Sequence, residues 1–224
     1  MNLAEKIKEL HASKYKFVIV SSGGGSNAIA SLLKVPGASN TVLEAYIPYA
    51  KESLDFYLMK KPDFYASKDT SLRMAARAYS AAKKIDQESS LNHLLGVSIT
   101  ASLSTTYEKR GDHKFHIALQ TRDFSKSISC KLEKGQRTRE EEEELVTAFV
   151  VNLLAECSEL EYDYPKIPEE VVFDEVKAEK GWAELMSNKI NYVLSEDASP
   201  ELIFPGAFYP VSYTHLTLPT RSYV

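Results

Sequence analysis

The stretch that most constrains this chain is KFVIVSSGGGSNAIASLLK, residues 16–34. The β-branched apolar run Tyr15 to Val20 predicts a buried strand, because such residues pack well on a sheet covered on both faces. Three glycines between serines follow. Asn27 to Leu33 then predicts a helix that stops near Val35-Pro36-Gly37. Strand, glycine turn and helix in this order belong to an α/β architecture. They also gather free backbone N–H groups and a helix dipole at one spot, which suits an anion. The loop fits neither G-x-x-x-x-G-K-S/T nor G-x-G-x-x-G. Three readings stay open: an anion cradle, a presented nucleophilic serine, or a plain tight turn.

The rest of the chain extends that pattern. Leu3, Ile7 and Leu10 sit at helical spacing among charges and predict an amphipathic helix rather than the apolar core of a signal peptide. Ala45 to Tyr49 predicts a second strand, with Pro48 confining it to an edge or ending it. Asp69 to Ile85 is alanine-rich and predicts a helix capped around Lys68-Asp69-Thr70. Leu95 to Ala101 and Lys114 to Thr121 read as strands flanking the polar loop TTYEKRGDH, and Ser127 to Leu132 follows at hairpin distance. Thr138 caps the next helix with Glu141 answering from N3, a capping box. The acidic run REEEEE lies where the helix dipole favours it and reads as a solvated helix start. Together these elements predict a mixed-sheet, three-layer α/β domain over residues 1–158.

Hydrophobic residues make up 44% and charged residues 26% of the 224 residues, the profile of a globular protein. A net charge of −4 exerts no general pull on nucleic acid or an anionic membrane, so neither is expected as a partner. No run of about 18 apolar residues predicts a membrane span. Cys130 and Cys157 lie in apolar segments and read as buried thiols, too few for a disulfide scaffold or a four-ligand zinc site. A reducing, cytoplasmic compartment fits that usage. His113 and His116 are three apart, so in a strand their side chains diverge, and no third ligand is evident. No metal or cofactor is expected.

SSGGGSNAIASLLKVPGAS followed by AYIPYAKESL resembles the opening of the CinA C-terminal-domain family, the nicotinamide-nucleotide amidases. That family shows an A-E-S-C-T-G-G loop, a helix and V-P-G-A/S-S. Aligned on Val35 to Ser39, Ser22 falls on the family's catalytic serine, and Tyr49 on the tyrosine of its V-x-Y-S-N-x-x-K segment. GVSITASLSTTYEKRGDHKFHIAL is similar to its G-x-x-V-T-G-I-A-G-P…G-x-V-x-I-A-L, which puts Thr100 on the family threonine. REEEEELVTAFVVNLLAE resembles the terminal helix. The resemblance covers residues 5–158 and implies an amide hydrolase that releases ammonia from a pyridine mononucleotide. In that reading Ser22 is the nucleophile and Tyr49 and Thr100 are acid/base or positioning groups. Gly23, Gly24, Gly25 and Ser26 form the oxyanion and phosphate cradle. The family glutamate is replaced by Ser21, and its Cys-Thr by Gly23-Gly24. The family lysine falls on Leu54, with Lys51 one helical turn earlier as the substitute. The family's second glycine-rich loop is replaced by Ser104 to Arg110, where Lys109 and Arg110 are candidates to meet a ligand phosphate.

Residues 159–200 read as a proline-punctuated linker with a helix near Trp182 to Leu194. LIFPGAFYP resembles the start of the nucleotidyltransferase superfamily, with Gly206, Phe208 and Pro210 on its G-x-F-x-P, so residues 201–210 are expected to open a truncated second domain. VSYTHLTLPT matches, residue for residue, the translation of a transposase sequencing adapter, and residues 211–224, His215 included, are expected to carry no function. Two functional readings follow. One is the serine amidase. The other is a non-catalytic nucleotide-binding or assembly domain serving a nucleotidyltransferase of NAD metabolism. A small-molecule nucleotide is the expected ligand in both, and a homo-oligomer is a possible state.

Overall fold

The computed structural model describes residues 2–107, 109–178, 193–194 and 202–203. Helix α1 (Leu3–His11) starts at Asn2, whose side chain forms a capping box with Glu5. Strand β1 (Lys16–Ser22) runs into the glycine loop and helix α2 (Ser26–Lys34). Strand β2 (Val42–Tyr46) begins three residues before the expected run and ends ahead of Pro48. Helices α3 (Lys51–Leu58) and α4 (Lys68–Ile85) lead to strand β3 (Leu94–Ser102). Strands β4 (His113–Gln120) and β5 (Phe124–Leu132) form a hairpin before helix α5 (Arg139–Cys157), and strand β6 (Val171–Lys177) follows.

The six strands form one mixed sheet in the order β2-β1-β3-β4-β5-β6. β1, β2 and β3 are parallel, and β4 to β6 add antiparallel neighbours. Helices α1, α2 and α5 cover one face, where Ile7, Leu10, Leu32, Phe149 and Val150 pack on Phe17, Ile19, Val97 and Ile117. The other face carries α3 and α4, with Leu54, Met74, Ala78 and Tyr79 against Val18, Val20 and Leu94. This is the three-layer α/β arrangement read from the alternation of strands and helices, and the near-total burial of β1 follows from its cover on both sides. At Gly96 the α4 backbone comes so close that an added Cβ would lie 2.1 Å from the Tyr79 nitrogen.

Four local differences from the sequence reading have clear causes. The α4 cap is Ser67, whose side chain accepts from the Thr70 N–H, one residue before the expected cap. Helix α3 was not expected, because it lacks a side-chain cap and buries Leu54 alone. Strand β6 lies inside the segment read as a linker. It joins the sheet through β5, and Arg137 holds Glu169 just ahead of it with a two-pronged ion pair. That guanidinium holds the Glu169 carboxyl down at about 2. Val193–Leu194, the end of the expected helix, is strand β7, paired with β8 (Leu202–Ile203). The remainder of that helix lies outside the described residues, as do Gly206, Phe208, Pro210 and residues 211–224.

Candidate functional site

The parallel strands β1, β2 and β3 end at one edge of the sheet, and the loops that leave them hold the predicted site residues. The chain leaves β1 toward β2 and leaves β3 toward β4, in opposite directions across the sheet. Such a switch point is where open α/β sheets bind ligands. Ser22 is the last residue of β1, on the face that carries Val18 and Val20. It is in register with Thr100 on β3, which faces His116 on β4, which faces Ser129 on β5. One polar row therefore crosses four strands beside an apolar core. The Ser22 hydroxyl donates to the Pro48 carbonyl at 2.9 Å, and Thr100 donates to the Tyr65 carbonyl at 2.7 Å. His116 Nδ1 meets the Ser129 hydroxyl at 2.9 Å, while its Nε2 is buried without a partner. Burial pushes this imidazole down to about 4, so it is neutral at pH 7. His113 leaves the opposite face of the strand, as the alternation of strand side chains requires.

The glycine loop is shaped by backbone needs. Gly23 and Gly25 have φ of +80° and +87°. A Cβ on Gly23 would lie 2.2 Å from the Ala101 carbonyl oxygen, and one on Gly25 would lie 2.5 Å from Ile99 Cγ2. The loop closes on itself through Ser21, whose hydroxyl donates to the Gly24 carbonyl at 2.9 Å. Ser26 opens α2 and is exposed.

The free N–H groups at the start of α2 do hold an anion, and it comes from the chain itself. Glu143 on α5 accepts from the Gly25 N–H at 2.8 Å and from the Asn27 N–H at 3.5 Å. Arg139, one turn earlier, pairs with Glu143 at 2.9 Å and donates to the carbonyls of Gly23 and Ser104 at 3.1 and 3.3 Å. Glu142 is fully buried. It accepts from the Ser104 N–H at 2.5 Å and lies 2.8 Å from His113 Nδ1. This corrects the reading of the acidic run as a solvated helix start. Glu140, Glu141 and Glu144 are exposed, but Glu142 and Glu143 face the two loops of the site, because α5 packs against α2 and β4.

The structure brings some of the remaining expected residues to the same edge. Tyr49 lies between β2 and α3 next to Pro48 and is 70% exposed. Leu54 is buried in the apolar cluster with Val18 and Val20, so the position on which the family lysine falls belongs to the core. Lys51 opens α3, and its ammonium lies 5.5 Å from the centre of the Tyr65 ring. The Tyr65 hydroxyl donates to Asp55 at 3.3 Å, and the second Asp55 oxygen is buried without a partner. Burial first, and then the Asp55 bond, raise the Tyr65 phenol. Lys51, Asp55, Tyr65 and Thr100 thus form one connected group. Lys109 turns back onto Ser102 and the Leu103 carbonyl, whereas Arg110 is exposed in the same loop. Asp55, Tyr65, Arg139, Glu142 and Glu143 were not singled out from sequence, and His116 was weighed there only as a metal ligand. The acidic run was visible there, but not the face on which each carboxylate would lie.

No family model matches the sequence, and no curated protein matches it. Solved structures do match its fold. The competence/damage inducible protein CihA from Agrobacterium tumefaciens superposes with a TM-score of 0.56 at 15% identity, covering 69% of this chain and 94% of that one. A competence or damage-inducible protein from Enterobacter asburiae gives 0.56 at 16%, covering 70% and 99%. A competence-damaged protein (CinA) superfamily protein from Enterobacter cloacae gives 0.53 at 15%, covering 69% and 93%. The fold is therefore CinA-like.

Proposed function

We propose that this CinA-like domain hydrolyses the linear amide of a pyridine mononucleotide, with Ser22 as the nucleophile. The observation that carries the reading is the position of Ser22. It is the last residue of a buried parallel strand, in register with Thr100 and directly ahead of the Gly23–Gly25 turn, at the carboxyl edge where ligands bind. In the proposed reaction the Ser22 oxygen attacks the amide carbon, and its proton passes to a basic group at this edge. Glu143 takes the Gly25 N–H, so the oxyanion donors of this reaction are the backbone N–H groups of Gly23 and Gly24. Ammonia leaves with that proton, and water then cleaves the serine ester to release the acid. Tyr49, Thr100 and Lys51 are the acid/base or positioning groups, and Arg110 is the phosphate candidate. The test is ammonia release from nicotinamide mononucleotide by the full chain. Turnover that is lost in Ser22→Ala supports the reading, and no release from folded protein overturns it.

A second reading is a nucleotide-binding or assembly domain without turnover. It is favoured by the hydroxyl of Ser22, which is bonded to a backbone carbonyl rather than to a base, and by Leu54 lying in the core. It expects a nucleotide-dependent thermal shift that survives Ser22→Ala, with no ammonia released. A nucleotidyltransferase partner domain of NAD metabolism belongs to the same proposal.

A further inference from the structure

The glycine loop has the form of an anion site, yet its occupant is supplied internally. A carboxylate at a helix N-terminus satisfies N–H groups that a ligand phosphate or carboxylate would otherwise bind. Three observations make this a built arrangement. Glu143 reaches Gly25 and Asn27 from an element 116 or more residues away in sequence. Arg139 fixes that carboxylate from its other oxygen and holds the Gly23 and Ser104 carbonyls at the same time. The Glu143 side chain is only 13% exposed, so solvent screens it weakly. The Arg139–Glu143 pair is neutral as a unit, and the N–H groups of Gly25 and Asn27 are already engaged.

We propose that Glu143 is a specificity-determining residue: a resident anion that closes the glycine loop to phosphate and carboxylate groups but not to an uncharged amide head. The proposal rests on the reading that a ligand's amide end lies at this loop. It goes further by naming what the loop rejects. A phosphate on the ligand is then held away from the start of α2. The acid product of amide hydrolysis also finds the Gly25 and Asn27 N–H groups already taken by a carboxylate, whereas the amide substrate brings no charge that needs them. Replacing Glu143 by alanine removes the resident anion and reopens the position.

The experiment titrates inorganic phosphate into the wild-type chain, Glu143→Ala and Glu143→Gln at constant ionic strength. It reads the melting temperature and the backbone amide NMR shifts of Gly25 and Asn27. The wild type is expected to show no saturable phosphate response at those amides. Glu143→Ala should melt lower than the wild type and regain several degrees as phosphate saturates the loop. Glu143→Gln, which keeps an acceptor oxygen, should respond less than the alanine variant. Saturable movement of the Gly25 and Asn27 amides in the wild type overturns the proposal, as does a Glu143→Ala chain that ignores phosphate. Where the alanine variant does not fold, the wild-type and glutamine titrations decide. A second arm compares binding of nicotinamide mononucleotide with its carboxylate counterpart, nicotinate mononucleotide. The wild type should prefer the amide by about tenfold, and Glu143→Ala should lose most of that preference. Failure of both nucleotides to bind the wild type removes the substrate reading under Proposed function, while the phosphate titration still decides the role of Glu143.

Discussion

Glu142→Ala tests whether the start of α5 is part of the site scaffold or a solvated helix end. The Glu142 carboxylate is fully buried and serves the Ser104 N–H at 2.5 Å and His113 Nδ1 at 2.8 Å. Truncation leaves the buried His113 imidazole and the half-buried Ser104 N–H without this partner, and each such loss costs roughly 1–3 kcal/mol. The sum, roughly 2–6 kcal/mol, brackets the roughly 3–5 kcal/mol found when one member of a buried pair is removed. At about 2–4 °C per kcal/mol for a chain of this size, a loss of roughly 3–5 kcal/mol should lower the melting temperature by roughly 6–20 °C. Urea denaturation with linear extrapolation measures the loss, and His113→Ala completes a double-mutant cycle. In the His113→Ala background, Glu142→Ala should cost less by about 1–3 kcal/mol, because one orphaned partner is already gone. Glu144→Ala, on the exposed side of the same turn, should stay within about 0.5 kcal/mol of the wild type. A Glu142→Ala loss as small as that of Glu144→Ala, with no coupling to His113, refutes the reasoning.

Further consequences follow from other parts of the fold. Gly96→Ala places a Cβ about 2 Å from the α4 backbone, so α4 must shift off the sheet, and denaturant melts should show a loss of about 3 kcal/mol or more. Burial pushes the Cys130 thiol up to about 11 and the Cys157 thiol up to about 12. Neither should therefore react with a thiol reagent at pH 8 in the folded chain, while both should react in denaturant. The Arg137 guanidinium lowers the Glu169 carboxyl in the folded state, so this pair stabilises the fold above the ordinary glutamate range and loses that effect as pH falls from about 4.5 toward about 2. Arg137→Gln should accordingly be less stable than the wild type at pH 7, with the gap shrinking through that acid window in melts run at successive pH values.

Much of the fold was legible because its signals are local. The apolar run before the glycines, the Thr138–Glu141 capping box and the alanine-rich stretch of α4 each depend on residues close in sequence. Strand β6 was not legible. Val172, Phe173 and Val176 stay exposed, so the strand shows no clean alternation, and it is held by backbone pairing to β5 and by a salt bridge from Arg137. The site was legible in part. Ser22 and Thr100 could be named from the resemblance, but that they sit side by side is a property of the register between β1 and β3.

The sequence by itself determined the order of strands and helices from α1 to α5 apart from α3, the glycine turn after β1, and the serine placed ahead of it. These follow from side-chain periodicity, backbone sterics and capping, which act over a few residues. Only the tertiary structure decided which carboxylates of the acidic run face water and which fill the glycine loop. Glu140, Glu142 and Glu143 are near-equivalent in sequence, and the packing of α5 against α2 sets which of them meets the backbone N–H groups of a loop formed more than a hundred residues earlier.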